Sequence, residues 1–349
     1  MKKLIIIGII LLFLGSCVPS IVSQPFPGKR IITVDDEPGD GDYTSIKEAV
    51  NSSNPGDTIE VYSGTYPEDG ILLAKDNVSL LGISHELGEG NDSGRPFIKG
   101  NGRDSVIRIE ATNQIFVSNL TIENPGIEAR NFTCGILIEH HPGYKQDNIT
   151  ISDCTITFSE HTGIYVMYTR KNLQIIRNNI SHCLLDGISI TAYDPSICSF
   201  FIEGNLITDC GDSGIYFMGG QYQNVSGNKI SRCSVGIDFA AENTSLYGND
   251  IENCPRAIRY GGVGNIFSRN NFRNYGIIGF FFFKEPYHLG RNKWNGNYWD
   301  HWIGVGPKAI LGFIVLYWGD EYHPHILFIP SVEFDRHPAK EPYDDSRLH

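Results

Sequence analysis

Along most of this chain, apolar and polar residues alternate in short runs of period two, broken at regular intervals. Six six-residue segments align without gaps: IIRNNI ending at Ile180, IEGNLI at Ile207, VSGNKI at Ile230, LYGNDI at Ile251, FSRNNF at Phe272 and LGRNKW at Trp294. Looser copies are VSNLTI ending at Ile122 and ISDCTI ending at Ile156. The fourth place is asparagine at Asn178, Asn205, Asn228, Asn249, Asn270 and Asn292, at steps of 21 to 27 residues. A second apolar element follows each copy: GILI at Gly135, GIYV at Gly163, GISI at Gly187, GIYF at Gly214, GIDF at Gly236 and AIRY at Ala257.

Each unit therefore reads as short strand, turn, short strand, and no apolar face of period 3.6 competes with it. Strands this short at a step near 22 residues fit one coil of a solenoid whose coils stack about 4.8 Å apart. The expected fold is all-β, a right-handed single-stranded parallel β-helix. Equivalent residues then form columns. The asparagines chain their amides coil to coil, and each glycine before the second strand supplies a tight turn. Cys183, Cys210, Cys233 and Cys254 each lie three residues after the repeat's isoleucine and form an inward thiol column, packed as small apolar residues.

Both ends of a solenoid need covers. At the front, Ser45 and Glu48 have capping-box spacing before Ile46, Ala49 and Val50, which share one helical face. At the back, Trp294, Trp299, Trp302 and Trp318 follow a phenylalanine run at 280–283. They predict an aromatic cap, a buried apolar segment over 309–318 and a partly irregular tail. The division expected is a leader over 1–16, attachment and linker over 17–30, the β-helix over 31–302 and a cap or tail over 303–349.

The leader assignment rests on Lys2 and Lys3, an apolar run to Leu14, and Gly15-Ser16-Cys17, the pattern of an export signal. Leu14-Gly15-Ser16-Cys17 resembles a lipobox, which implies lipid attachment at Cys17 and an extracytoplasmic protein held on a membrane surface. A net charge of -12 argues against nucleic acid as a partner.

The opening DYTSIKEAVNSSNPGDTIEVYSGTYPEDG looks like the first coil of many parallel β-helix proteins, pectin-active enzymes among them. The repeats with their closing NKWNGNYWDHW resemble the carbohydrate-binding and sugar-hydrolysis (CASH) domain and the NosD-type periplasmic copper-binding accessory proteins. The resemblance implies a glycan ligand or, on the NosD side, copper. The pectin-hydrolase motifs are absent: the Asp-Asp pairs lie only at 35–36 and 344–345, and no Gly-His-Gly accompanies Arg291-Asn292-Lys293.

Candidate chemistry clusters before the second strand. Glu160 and His161 precede Gly163, Asp186 precedes Gly187, and Asp212 lies two before Gly214. Neighbouring carboxylates shift one another's pKa and make acid–base sites of the lyase or glycoside-hydrolase type. Tyr165 and Tyr216 face outward to stack on sugar rings, with Arg170 for a uronate carboxylate. A solvated turn built from acids is the bland reading of the same residues. Met167, Met218, His140, His141, His161 and His182 are the copper candidates. The acidic run Asp35, Asp36, Glu37, Asp40 and Asp42 lacks a fixed oxygen-ligand spacing and reads as a solvated linker. No cofactor is expected, calcium being the one ion these acids suit. The function expected is a surface lipoprotein binding, and secondarily cleaving, an extracellular polysaccharide. A structural or adhesive solenoid and a copper-site accessory protein are the alternatives.

Overall fold

The computed structural model describes residues 29–125, 133–139, 147–167, 171–192, 198–284, 292–318 and 325–344. Its strands stack in parallel into three walls. The first wall runs from Ile31–Val34 through Leu173–Ile176 to Lys293–Asn295. The second wall is the ten-stranded sheet from Thr65–Tyr66 to Tyr298–Trp299. The third runs from Ile71–Leu73 through Ile188–Thr191 to Ile277–Lys284. The all-β solenoid expected from the repeats is the fold observed, with one difference in its grain. Each six-residue copy is two strands, not one. In IIRNNI, Ile176 ends one wall, Arg177 turns the chain at φ 53°, and Asn179–Ser181 begins the next.

That corner explains the asparagine column. The left-handed residue ahead of it is most often glycine, as at Gly204, Gly227 and Gly248, where a missing Cβ removes the steric penalty. Each following asparagine is buried and works three ways. In Asn228 the backbone N–H donates to Asn249 Oδ1 (3.1 Å) and Nδ2 donates both to Ile202 O (2.9 Å) and to Asn249 Oδ1 (2.9 Å). The ladder starts where Cys154 N–H donates to Asn178 Oδ1 and passes through Asn205, Asn228, Asn249 and Asn270 to Asn297. Asn292 is not its last member. It sits one corner earlier, accepting from Asn265 N–H (2.9 Å), because Lys293–Asn295 pairs with Ile266–Ser268 on the first wall. The final copy is thus WNGNYW, with Gly296 at φ 71°.

Isoleucines fill the interior along all three walls, and from Phe200 onward aromatic rings join them. Phe267 stacks on Trp294 with centroids 3.8 Å apart, and Phe272 lies 4.4 Å from Trp299. The glycines before the third wall have ordinary φ, so their role is not a tight turn. A Cβ on Gly187 would come within 2.5 Å of Ile207 Cγ2 and 2.7 Å of Gly214 O. They let two walls and two coils meet. The cysteine column lines the next corner: Cys183, Cys210, Cys233 and Cys254 are buried free thiols, each donating to the carbonyl two residues back.

A helix, α1 (Ile46–Ser52), covers the front, burying Ile46, Ala49 and Val50, with Ser45 Oγ accepting from Glu48 N–H. Glu68 caps it from the neighbouring coil, accepting from Ile46 and Lys47 N–H (2.9 and 2.8 Å). At the back, the expected irregular tail is an antiparallel hairpin of Lys308–Trp318 and His325–Asp335. At the start of its first strand Ile310 is buried while Leu311 is exposed, as strand alternation requires; the side chains of 313–318 lie outside the described residues. The acidic run near Asp35 is not a solvated linker either. Asp35 N–H donates to Tyr43 O (3.0 Å), which folds the loop onto the solenoid, and Asp35 is fully buried.

Candidate functional site

The candidate site lies on the outer face of the third wall. Inward isoleucines at 164, 188, 215, 237 and 258 fix the alternation, so the residue after each points outward. Register then sets Tyr165, Ser189, Tyr216, Asp238 and Arg259 side by side in consecutive coils, about 4.8 Å apart. Asp238 is ion-paired with Arg259, and their hydrogen bond raises the guanidinium pKa further.

Asp186 stands at the entry to this wall, its Oδ1 accepting from Ser213 N–H at 3.0 Å. Burial, then the carboxylates of Asp212 and Asp238, push its carboxyl up to about 6, while Ser213 N–H and the Ser189 hydroxyl pull the other way. Burial and the carboxylates of Asp238 and Asp186 likewise raise the Tyr216 phenol, against the pull of Arg259. A carboxyl that holds its proton toward neutral pH beside an arginine-paired carboxylate is a division of protonation states that suits acid–base work.

The residues singled out in the sequence divide. Asp186, Asp212, Tyr165 and Tyr216 come together here, since Asp212 acts on Asp186 and Tyr165 on Tyr216. The acids do not form one column. Backbone bonds align His161, Leu185 and Asp212, and place Asp186 one position over, between Thr162 and Ser213. His161 flanks the site, its ring 6.0 Å from Tyr165, and burial lowers its pKa. Glu160 is half-buried, with one carboxylate oxygen buried and without a hydrogen-bond partner. Arg170, Cys17, His140 and His141 lie outside the described residues. Arg259 joins the site without having been singled out. The signal for Arg259 was available, an opposite charge at the register of Asp238 in the next repeat.

Met167 and Met218 both align with Thr191, so a whole coil separates them. His182 stacks on Phe158 at 4.9 Å. Among the described residues, groupings of three potential metal ligands occur elsewhere, around Asp35 and Glu37.

The sequence model of the right-handed β-helix region family matches residues 135–298. The chain is a right-handed parallel β-helix repeat protein. No curated protein sequence matches it significantly. Among solved structures it is similar to a lacto-N-biosidase from Eubacterium ramulus (TM-score 0.61, 14% identity), covering 77% of this chain and 60% of that one. It is also similar to the enzymatically active domain of tailspike protein 2 from bacteriophage CBA120 (TM-score 0.51, 13% identity), covering 77% of this chain and 40% of that one. The β-helix chain thus spans 60% or less of these two proteins. At such identities the likeness is one of fold.

Proposed function

We propose that this β-helix binds an extracellular polysaccharide on the outer face of its third wall, anchored to a membrane surface through lipid on Cys17. The observation that carries the reading is the grouping of Asp186 and the Asp238–Arg259 pair with Tyr165 and Tyr216 on one strand-built face. Tyrosine rings present an apolar face to a sugar ring while carboxylates and a guanidinium take its hydroxyls and acidic groups. Asp186, pushed up to about 6, adds a second reading, in which it donates or accepts the proton of glycosidic cleavage. Similarity to a lacto-N-biosidase and to an enzymatically active tailspike domain supports a glycan over the other ligand classes. The copper reading is disfavoured because Met167 and Met218, a full coil apart across Thr191, cannot share an ion.

The test is glycan-array binding by wild type and by the Asp186→Asn/Asp212→Asn double variant, with product release measured on every glycan bound. At least a tenfold loss of affinity with an unchanged circular-dichroism spectrum is expected. Wild-type binding by the double variant would place the ligand elsewhere. For the anchor, Cys17→Ala is expected to abolish fatty-acid labelling and release the protein from membranes; persistent labelling refutes it.

A further inference from the structure

The N-terminal acidic cluster has a geometry unlike that of a surface charge patch. Asp35 is 0% exposed, and neither of its carboxylate oxygens has a hydrogen-bond partner. Its oxygens reach Asp36 and Glu37 so that one ligand atom from each lies within 4.8 Å of the others. Glu37 shares a second such triplet with Glu86 and Asp92, from the loop after the first-wall strand Ser79–Gly82. One oxygen of Asp36 and one of Glu37 are also buried without a partner. Glycines make room for these acids: a Cβ on Gly64 would come within 2.0 Å of Asp36 Oδ1, and one on Gly90 within 2.2 Å of the Glu86 carboxyl.

A buried carboxylate with no donor costs several kcal/mol unless a positive charge meets it. The charges acting most on Asp35 are the acids Glu86, Asp36, Asp40 and Asp92, with no lysine or arginine among them. We propose that these acids bind calcium, Asp35, Asp36 and Glu37 as the inner group and Glu37, Glu86 and Asp92 as the outer, with Glu37 common to both, and that calcium so ties the loop after the first strand to the loop after Ser79–Gly82. The donors are all hard oxygens on irregular loops. Calcium takes six to eight such oxygens in flexible geometry at about 2.3–2.6 Å, whereas magnesium demands a near-ideal octahedron. Two oxygens sharing one calcium lie at most about 5 Å apart, a limit both triplets meet. The site is independent of the glycan face.

Calcium chloride is titrated into chelator-treated protein by calorimetry, with melting followed by circular dichroism. Saturable binding is expected by about 1 mM, the range of extracellular calcium modules, with a rise in Tm of roughly 3 °C or more. Asp35→Asn should abolish both effects. Should that variant fail to fold, Glu86→Gln and Asp92→Asn, at the more open side, are each expected to weaken binding at least tenfold. No saturable heat in wild type overturns the proposal. So does an equal shift with magnesium chloride, or with sodium chloride at matched ionic strength. Wild-type affinity in the folded Asp35→Asn protein, or in both rim variants, overturns it as well.

Discussion

The two ends of the solenoid each bury one aspartate completely, Asp35 at the front and Asp335 at the back, and the two are opposites. Asp335 closes the asparagine ladder. Its carboxylate accepts from Asn297 N–H and Nδ2 (both 3.0 Å), from Trp299 Nε1 (3.1 Å), and from the Gly296 and His337 N–H groups (both 3.2 Å). Two residues before it, on the same face of the strand, Glu333 does the same for the neighbouring column, accepting from Asn292 Nδ2, Trp294 Nε1 and the Tyr260 hydroxyl. Asp35 accepts from no protein group. The contrast separates two uses of a buried carboxylate. Where donors converge, it terminates a hydrogen-bonded array whose every amide points the same way. Where only other acids converge, the arrangement is complete only with a cation.

Removing the better-satisfied acid should therefore have the largest effect on the apoprotein. Asp335→Ala strands the last ladder amide and the Trp299 indole in a buried site, and is expected to cost about 3–5 kcal/mol. Chemical denaturation with and without chelator measures it. In chelator, Asp35→Asn should be neutral or stabilising, since it removes an unmet charge and no donor loses its acceptor. A loss at Asp35 equal to that at Asp335 would erase the distinction.

Within the ladder the expected loss is smaller, because one rung is removed and not the terminus. Asn228→Ala leaves Asn205 N–H and Nδ2 without their shared acceptor, and Ile202 O without its donor. A cost of about 2–3 kcal/mol is expected by the same denaturation. A cost below about 0.5 kcal/mol would mean that water replaces the rung and that the ladder does not depend on its cap.

The columns were legible because stacking repeats every local requirement once per coil. Six copies of one segment state the same corner six times. The slip at Asn292 has a plain cause, since LGRNKW and FSRNNF both carry Arg-Asn and the eye aligns them. The decisive feature was the left-handed residue before the ladder asparagine. It favours glycine, and Gly296-Asn297 repeats the pair seen at Gly204-Asn205 and Gly227-Asn228. The site was legible only as far as it too repeats. Tyr165 and Tyr216 stand at corresponding places two coils apart, whereas Asp186 and Arg259 matter because of what neighbouring coils bring to them. Asp35 was illegible because its burial comes from distant partners, Tyr43 and the loops bearing Gly64 and Glu86. Nothing in a run of five acids says which one faces inward.

Asp186 falls between the two extremes, with the Ser213 N–H as its donor and two acids nearby, and it offers the mildest test of the comparison. Its carboxyl is raised to about 6 in the folded chain, from the ordinary value of 3.8. Below about pH 4 both the folded and unfolded forms hold the proton, and well above 6 neither does. Between these limits the folded form keeps a proton that the unfolded chain has released. Stability contributed by this group therefore falls as pH rises from about 4 to 6. Asp35, also raised to about 6, chiefly by burial and then by Glu86 and its other acidic neighbours, titrates in the same window. The quantity to measure is thus the difference between wild type and Asp186→Asn, in which the contribution of Asp35 cancels. That difference should grow in favour of the variant by roughly 2 kcal/mol between pH 4 and pH 7. A flat difference would show that the Ser213 and Ser189 donors already compensate the ionised carboxylate. Asp186 would then belong with Asp335 as a satisfied acid, and the acid–base reading of the third wall would lose its proton donor.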